Sequence, residues 1–355
     1  MSQSLFSQWS PSPEDTNRGL ATPLPEPPKR EKRKEQVDVV EVSKQLVKPF
    51  HVRFWNGAQA AWRALTINPK VATGSAIVAL FLLVAIFGPL FLHGDPNLIT
   101  HDAKLPPSAA HWLGTTALGQ DIFGQLILGT QTSVLWGFFS GILVTLLSIV
   151  IGLVGGYFSG AIDEIFSFVT NVFLVLPGIP LMLVIASYVP ASALSVSLVV
   201  AITSWAWGAR VLRAQTLSLR SREFVTAARS NGESVWRAIF FEIFPNQLSL
   251  VAANFVSTMI QVILSFAALQ FLGLGDITQA SWGGMLYWAQ SSNALLAGMW
   301  WWFVPPGLCI AVLGAGLSLI NFGIDEVADP RLRSEPKIKL PKKRRAAETQ
   351  KAVAS

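Results

Sequence analysis

Residues 71–92 read VATGSAIVALFLLVAIFGPLFL and contain no charged side chain. An α-helix needs about 20 apolar residues to cross the hydrocarbon core of a lipid bilayer, so this run is long enough. Five further apolar runs follow, which predicts an all-α integral membrane protein with six transmembrane helices. The six predicted spans are Val71–Leu92, Val134–Phe158, Ile165–Val189, Leu194–Ala209, Leu248–Leu272 and Met299–Phe322.

The composition of the whole chain is typical of a membrane protein. Of its 355 residues, 51% are hydrophobic and only 14% are charged, whereas soluble domains carry roughly 25% charged residues. The composition therefore excludes an ordinary soluble enzyme and also a disordered or fibrous chain.

The basic residues predict the orientation of the spans. All 27 lysines and arginines except Lys104 lie before span one, between spans four and five, or after span six. Because basic residues concentrate in cytoplasmic segments, both termini are expected in the cytoplasm, in a multi-pass protein of the plasma membrane. The net charge of +6 then reflects membrane topology and does not indicate nucleic-acid binding.

The two ends of the chain are predicted to lie outside the six-helix domain, which we assign to residues 70–325. Residues 1–49 are basic and rich in proline, which predicts a disordered cytoplasmic tail. Residues 50–69 have apolar residues at helical spacing beside Trp55 and Trp62, which predicts an amphipathic helix at the bilayer surface. The alternative is that this helix packs on the protein's own cytoplasmic loop, and both placements can hold at once. Residues 326–355 form a second basic tail, and both tails are expected to contact anionic lipid.

The sequence contains none of the common catalytic motifs. It has no phosphate-binding P-loop, no H-E-x-x-H, no G-x-S-x-G and no cysteine pair. No ionisable residue lies in the middle of a span, although proton-coupled carriers use such residues. We therefore expect a non-enzymatic protein that binds no metal and no cofactor itself. Pro177, Pro180 and Pro305 interrupt predicted spans and are candidates for a gate or pathway, with static kinks as the alternative.

The segment between spans four and five, residues 214–247, is predicted to form two short helices. Glu223 lies at the start of the first helix, and Gly232 follows its end because glycine adopts the left-handed conformation found there. Pro245 is expected to begin span five, since a proline in the first turn loses no helical hydrogen bond. The second short helix is predicted to have one apolar side, formed by Trp236, Ile239 and Ile243. Such a pair of helices suits a docking surface for another protein.

This segment resembles the EAA loop of binding-protein-dependent ABC importer permeases, which has the pattern E-A-A-x(3)-G-x(9)-I-x-L-P. Ala227, Ala228, Gly232 and Pro245 match the pattern, whereas Thr226 stands where the first glutamate is usual. Glu242 and Phe244 stand at the isoleucine and leucine positions. The loss of that glutamate affects one polar contact expected with the ATPase and not the docking as a whole.

Two further stretches resemble the C-type permeases of oligopeptide and dipeptide transport. HWLGTTALGQD, residues 111–121, is similar to H-P-L-G-T-D-x-x-G-R-D, with departures at Trp112, Thr116 and Gln120. Residues 268–275, ALQFLGLG, and residues 282–286, WGGML, are similar to F-L-G-L-G and W-G-x-M-L. The resemblance runs from about residue 68 to residue 333.

The resemblance implies a subunit of a larger transporter. Its partners would be a second, homologous permease, two ATP-binding subunits that hold ATP and Mg, and an extracytoplasmic solute-binding protein. The implied ATPase-coupling residues are Glu223, Thr226, Ala227, Ala228, Gly232 and Pro245. The implied contacts with the binding protein are His111, Gly114, Asp121, Trp282 and Trp288.

The expected function is ATP-driven import of oligopeptides, dipeptides or short oligosaccharides. Tryptophans near the start of span six could stack on sugar rings, although an interfacial aromatic belt is the favoured interpretation of them. The alternative is a stand-alone secondary carrier or channel for a small polar solute, which would need no ATPase.

Overall fold

The protein is described by a computed structural model at residues 69–92 and 94–328. The predicted N-terminal tail, nearly all of the interfacial helix and the C-terminal tail from residue 329 lie outside these residues. The described part is helical, and its only extended pairing is an isolated bridge between Thr115 and Asp121. The helices are α1 (Pro69–Phe87), α2 (Ile122–Tyr157), α3 (Ala161–Val175), α4 (Gly178–Ser187), α5 (Ala193–Ser204), α6 (Ala206–Arg220), α7 (Glu223–Ser230), α8 (Val235–Arg237), α9 (Phe244–Phe271), α10 (Trp282–Ser291) and α11 (Trp300–Ala328).

The long apolar helices confirm the all-α integral membrane fold. Among the described residues, four helical stretches are long and apolar enough to cross a bilayer alone: Pro69–Phe91, Ile122–Tyr157, Val235–Phe271 and Trp300–Ile324. Two bent pairs, α3 with α4 and α5 with α6, bring the number of spans to six if each pair counts as one.

Helix α2 is longer than its predicted span. It begins at Ile122 and not at Val134, because the Asp121 carboxylate caps the helix by accepting a hydrogen bond from Gly124 N at 2.7 Å. It ends at Tyr157, one residue before the predicted end at Phe158. A Cβ atom at Gly152 would lie 2.8 Å from Leu212 Cβ of α6, so this glycine allows α2 and α6 to pack closely.

The prolines in spans three and six have different effects. Helix α3 ends at Val175, and α4 leaves it at 93° after Pro177. Leu176 has extended backbone angles, as expected for a residue before proline. In contrast, Pro305 lies inside the continuous helix α11, so the expected interruption of span six at that residue is wrong.

Helix α2 lies at the centre of the packing and contacts α1, α3, α5, α6 and α9. Helices α1 and α11 also pack on each other, and a Cβ at Gly316 would lie 2.8 Å from a methyl group of Ile77. We call the end of the bundle that carries Arg213, Arg220 and Arg229 the basic end. Helix α2 begins at the opposite end and ends at the basic end.

Candidate functional site

The basic end carries a short helix and turn, residues 223–234, which we call the coupling knob. Helix α7 ends at Ser230, and Gly232 has a φ of +78°. Gly232 N–H donates to Arg229 O at 3.0 Å and Glu233 N–H donates to Ala228 O at 3.2 Å. These two bonds form a Schellman motif, which satisfies the last carbonyls of the helix and requires a residue with positive φ. The predicted helix, its end and its glycine turn are therefore confirmed.

One side of the coupling knob packs on the protein and the other side is open. Val225 is fully buried in a cluster with Leu153, Ile239 and Ile243, and Ala228 is also buried. Four of the six predicted coupling residues are exposed: Glu223, Thr226, Ala227 and Gly232. The open side therefore presents backbone and small side chains to which a partner has access.

One prediction for this segment is wrong and another is confirmed in part. Trp236 is 57% exposed and stacks on Phe240, so it does not share the buried side of Ile239 and Ile243. Pro245 lies in the first turn of α9, as predicted, but α9 continues directly from the helical turns before it, so that one helical stretch runs from Val235 to Phe271.

A π-helical turn lies directly before the first turn of α9. Residues 238–243 form the turn, and Phe244 N–H bonds to Ile239 O, five residues earlier. Pro245 has no N–H of its own to donate, and the wider turn lies immediately before it. The segment between the spans is also shorter than the predicted residues 214–247, because α6 extends to Arg220.

Three arginines connect the coupling knob and α6 to the ends of α2 and α3. The Arg229 Nε–H donates to Tyr157 Oη at 3.0 Å, and its guanidinium lies 4.7 Å from the centre of that ring. Arg220 Nη1 donates to the last carbonyls of α2, among them Phe158 O at 3.3 Å, where a cation is favoured by the helix dipole. Arg213 Nη2 lies 2.6 Å from Asp163 Oδ1 at the start of α3. A displacement of the knob would therefore act directly on α2, and through α6 on α3.

These arginine contacts were not predicted from the sequence. In the sequence, Arg213 is one of the basic residues between spans four and five, and Asp163 has no motif that links it to them. The paired residues are 50 positions apart for Arg213 with Asp163 and 72 apart for Arg229 with Tyr157. No local pattern in the sequence relates positions that distant.

At the opposite end, residues 111–121 form a tightly bonded loop before α2. His111 Nδ1 lies 3.1 Å from Asp121 Oδ1, and an ionised carboxylate can only accept, so the imidazole N–H donates. Gly114 has a φ of +72°, and a Cβ there would lie 2.5 Å from Leu105 O. Thr115 is fully buried and its carbonyl accepts from Trp301 Nε1 at 3.4 Å. Gly114 thus acts as a structural residue, whereas His111 and Asp121 are part-exposed.

Clefts at this end include two that contain residues predicted from the sequence. The first, about 500 Å³, is lined by His111, Asp121, Trp112, Phe123 and Asp95, among others. The second, about 250 Å³, is lined by amide and hydroxyl side chains, by two indoles, and by apolar side chains such as Leu118, Ile277 and Met285. The named polar and aromatic residues of the second cleft are Asn97, Gln120, Gln125, Thr278, Gln279, Ser292, Trp288 and Trp302.

The second cleft has no ionisable lining side chain in the described part of the chain. Gln120, at the position where the resembling family has arginine, donates from Nε2 to Asn97 O at 2.8 Å. Gln125 Nε2 in turn donates to Gln120 Oε1 at 3.1 Å. Trp302 is 3% exposed, and its N–H has no hydrogen-bond partner among the described residues. The sequence did not identify Asn97 or Gln125 as part of this cleft.

The two tryptophans predicted to contact a binding protein differ in exposure. Trp288 is 41% exposed and donates from Nε1 to Ile277 O at 3.0 Å. Trp282 is fully buried, with its indole N–H donating to Thr130 Oγ1 at 3.2 Å and its backbone N–H to Ser133 Oγ at 3.0 Å. A buried side chain cannot contact another protein, so the prediction for Trp282 is wrong.

The predicted gate prolines occupy two unlike environments. Pro177 and Pro180 lie in an exposed elbow between α3 and α4, in which Val175 is 84% and Ile179 is 59% exposed. Pro305 is half-buried in the second turn of α11. The structure therefore does not bring the three prolines together in one element.

Comparison with known protein families gives two matches. Residues 148–334 match the family described as "Binding-protein-dependent transport system inner membrane component". Residues 57–107 match the "N-terminal TM domain of oligopeptide transport permease C". The chain belongs to this family of inner-membrane permeases. The permease is accordingly a multi-pass protein of the plasma membrane, as the apolar spans predicted.

Individual relatives of the permease are named for peptide transport. It is 32% identical over 287 residues to the "Probable D,D-dipeptide transport system permease protein DdpC" of Escherichia coli, covering 80% of this chain and 95% of the relative. It is 31% identical to the "Oligopeptide transport system permease protein OppC" of Bacillus subtilis, covering 79% and 90%. It is 30% identical to the "Glutathione transport system permease protein GsiD" of Pectobacterium atrosepticum, covering 77% and 91%. The permease is thus similar over most of its length to components of peptide transport systems.

Proposed function

We propose that this permease is one of two membrane-spanning subunits of an ATP-driven importer for short peptides. In this proposal two ATP-binding partner subunits hydrolyse ATP with Mg, and an extracytoplasmic binding protein delivers the solute. The permease itself provides part of the pathway and has no catalytic role. The basic end faces the cytoplasm in this proposal, and both termini lie on that side of the membrane, as the distribution of lysine and arginine predicts.

The observation that carries the proposal is the geometry of the coupling knob. Its turn is fixed by two hydrogen bonds, its outer side leaves Ala227 and Gly232 exposed, and its inner side is anchored through Arg229 to α2. A partner that moves the knob would therefore move α2, the helix at the centre of the packing. This arrangement suits transmission of force from an ATPase, and a stand-alone carrier or channel would have no use for it.

The opposite end suits delivery of solute by a separate protein. His111, Asp121 and Trp288 line the two clefts at that end and remain part-exposed. We assign these residues to the contact with the binding protein. The exposed elbow at Pro177 and Pro180 is assigned to the pathway or to the second permease subunit.

Short peptides are the favoured solutes because the named relatives belong to peptide transport systems. The second cleft supports an additional candidate, since an uncharged lining with the exposed indole of Trp288 suits a neutral oligosaccharide. A peptide with charged termini would find no counter-charge in that cleft.

The proposal is tested by uptake into cells that express the protein natively, compared with cells in which its gene is deleted. We expect accumulation of labelled dipeptides and tripeptides to require the gene and to stop when ATP is depleted. Uptake that stops with a protonophore while ATP is maintained would contradict the proposal and favour a secondary carrier. Labelled oligosaccharides in the same assay distinguish the two solute classes.

A further inference from the structure

A polar cleft lies between the coupling knob and the end of α2. It encloses about 490 Å³ and is lined by six residues, all able to form hydrogen bonds: Tyr157, Ser159, Arg220, Ser221, Thr226 and Arg229. None of these lining residues is acidic. We call this space the arginine cleft.

The two arginines in the cleft retain unused hydrogen-bond donors. Arg229 uses Nε for Tyr157, and its two terminal nitrogens make no hydrogen bond within the described residues. Arg220 uses only Nη1 for the α2 carbonyls, at 3.3 to 3.4 Å. Neither arginine forms an ion pair in the described part of the chain, whereas Arg213 is paired with Asp163. The cleft therefore holds two guanidinium groups without an acidic partner in the described part of the chain, and only the charge of Arg220 is partly offset, by the carbonyls at the end of α2. Such groups suit an oxyanion.

The position of the cleft along α2 favours a lipid as the source of that anion. The uncharged apolar run of α2 ends at Phe158, next to Tyr157 and Ser159 of the cleft. Tyrosine at the end of a spanning helix is typical of the depth of the lipid headgroups. Helix α3 begins two residues beyond Ser159 and leaves Ile162, 42% exposed, and Ile165, 62% exposed, on its surface. Apolar surface for an acyl chain is thus available within a few residues of the cleft.

We propose that the arginine cleft binds the phosphate of an anionic phospholipid in the leaflet at the basic end. Basic pockets between spanning helices at the cytoplasmic side commonly bind such headgroups. The bound phosphate would contact Arg220 on α6 and Arg229 on α7, so it would hold the coupling knob against the end of α2. The lipid site does not depend on which solute is transported. A negative result in the lipid-binding test would therefore leave the proposed function unchanged.

The test is a lipid titration of the purified full-length chain in detergent, followed by native mass spectrometry. Phosphatidylglycerol and phosphatidylcholine with the same acyl chains are compared at constant ionic strength. We expect the wild-type chain to bind phosphatidylglycerol at least about tenfold more tightly, and Arg229→Gln to lose most of that preference. Arg229→Lys should retain part of it, because the charge remains but the planar guanidinium is lost.

Arg222→Gln is the matched control. Arg222 precedes α7, is exposed and does not line the cleft, and its replacement removes the same charge from the same segment. An equal loss in both glutamine variants would overturn the proposal, since it would indicate general charge attraction. Displacement of phosphatidylglycerol by equimolar inorganic phosphate would also overturn it, because the site would then bind soluble phosphate.

A second measurement avoids substitutions. Amide hydrogen exchange of the wild-type chain should slow at residues 226–233 when phosphatidylglycerol is added, and not when phosphatidylcholine is added. Identical exchange with the two lipids would contradict a role for the phosphate in holding the knob.

Discussion

The glycine turn of the coupling knob allows a quantitative test, in which Gly232 is replaced with valine. Gly232 has a φ of +78°, and a Cβ built on it meets no atom within 4 Å. The cost of a side chain at this position is therefore conformational and not steric. A left-handed conformation costs roughly 1–2 kcal/mol for an L-residue, and it is most unfavourable for a β-branched one. Asparagine tolerates it better, so Gly232→Asn is the matched control.

A change of about 1–2 kcal/mol alters the ratio of formed to unformed turn by a factor of about 5–30. Amide hydrogen exchange at Glu233, whose N–H bonds to Ala228 O, measures that ratio directly. We expect exchange to accelerate by about that factor in Gly232→Val and by much less in Gly232→Asn. Both variants should still insert into the membrane, because the knob lies outside the spans.

Transport should follow the same order. In the complete transporter, Gly232→Val should reduce solute uptake while ATP hydrolysis continues, because the distorted turn no longer transmits motion to α2. Gly232→Asn should remain close to wild type. Normal uptake by the valine variant, together with the accelerated exchange, would refute the assignment of this turn to coupling.

Three other experiments test the packing of the molecule. Gly152→Ala should destabilise the protein by about 1–3 kcal/mol in a denaturant titration, because its Cβ would press on α6. Gly178→Ala is the control, since a Cβ at Gly178 meets no atom within 4 Å, and its stability should stay within about 0.5 kcal/mol of wild type. Equal effects of the two substitutions would contradict the close approach of α2 and α6. Asp163→Asn and Arg213→Gln should each lower the free energy of unfolding by about 1–3 kcal/mol. The double variant should lower it by less than the sum of the two single effects. Strict additivity of the two effects would exclude a direct interaction between the side chains. Gly114→Ala should speed limited proteolysis within residues 94–121, because the backbone at this position has a φ of +72° and a Cβ there would meet a carbonyl oxygen. Unchanged cleavage would contradict a tightly bonded loop.

The spans and the glycine turn were predictable because their causes are local. An uncharged apolar run identifies a spanning helix wherever it occurs, and Asn231-Gly232 identifies a helix end through the positive φ that glycine allows. Helix boundaries were less predictable, since helices continue beyond the apolar run. Helix α2 starts at Ile122 because Asp121 caps it, and α6 continues through its arginines to Arg220.

The tertiary contacts of the site were not predictable from the sequence. Trp282 resembled an exposed outer tryptophan, yet it is buried because Thr130 and Ser133 of α2 satisfy its polar groups. The contacts of Arg229 with Tyr157 and of Arg213 with Asp163 join segments that are far apart in the chain. Only the packing of α2 against α3, α6 and α7 brings those residues together.

Site-specific photo-crosslinking from Ala227 tests the central claim most directly. Ala227 is exposed on the open side of the coupling knob, so a photoreactive residue there should not disturb the buried side. In native membranes we predict a crosslink to a polypeptide that contains a nucleotide-binding P-loop, and none from the same residue at Leu296, which is 87% exposed at the opposite end. Solute flux through the purified permease alone, with no crosslinked ATPase partner at Ala227, would contradict the account.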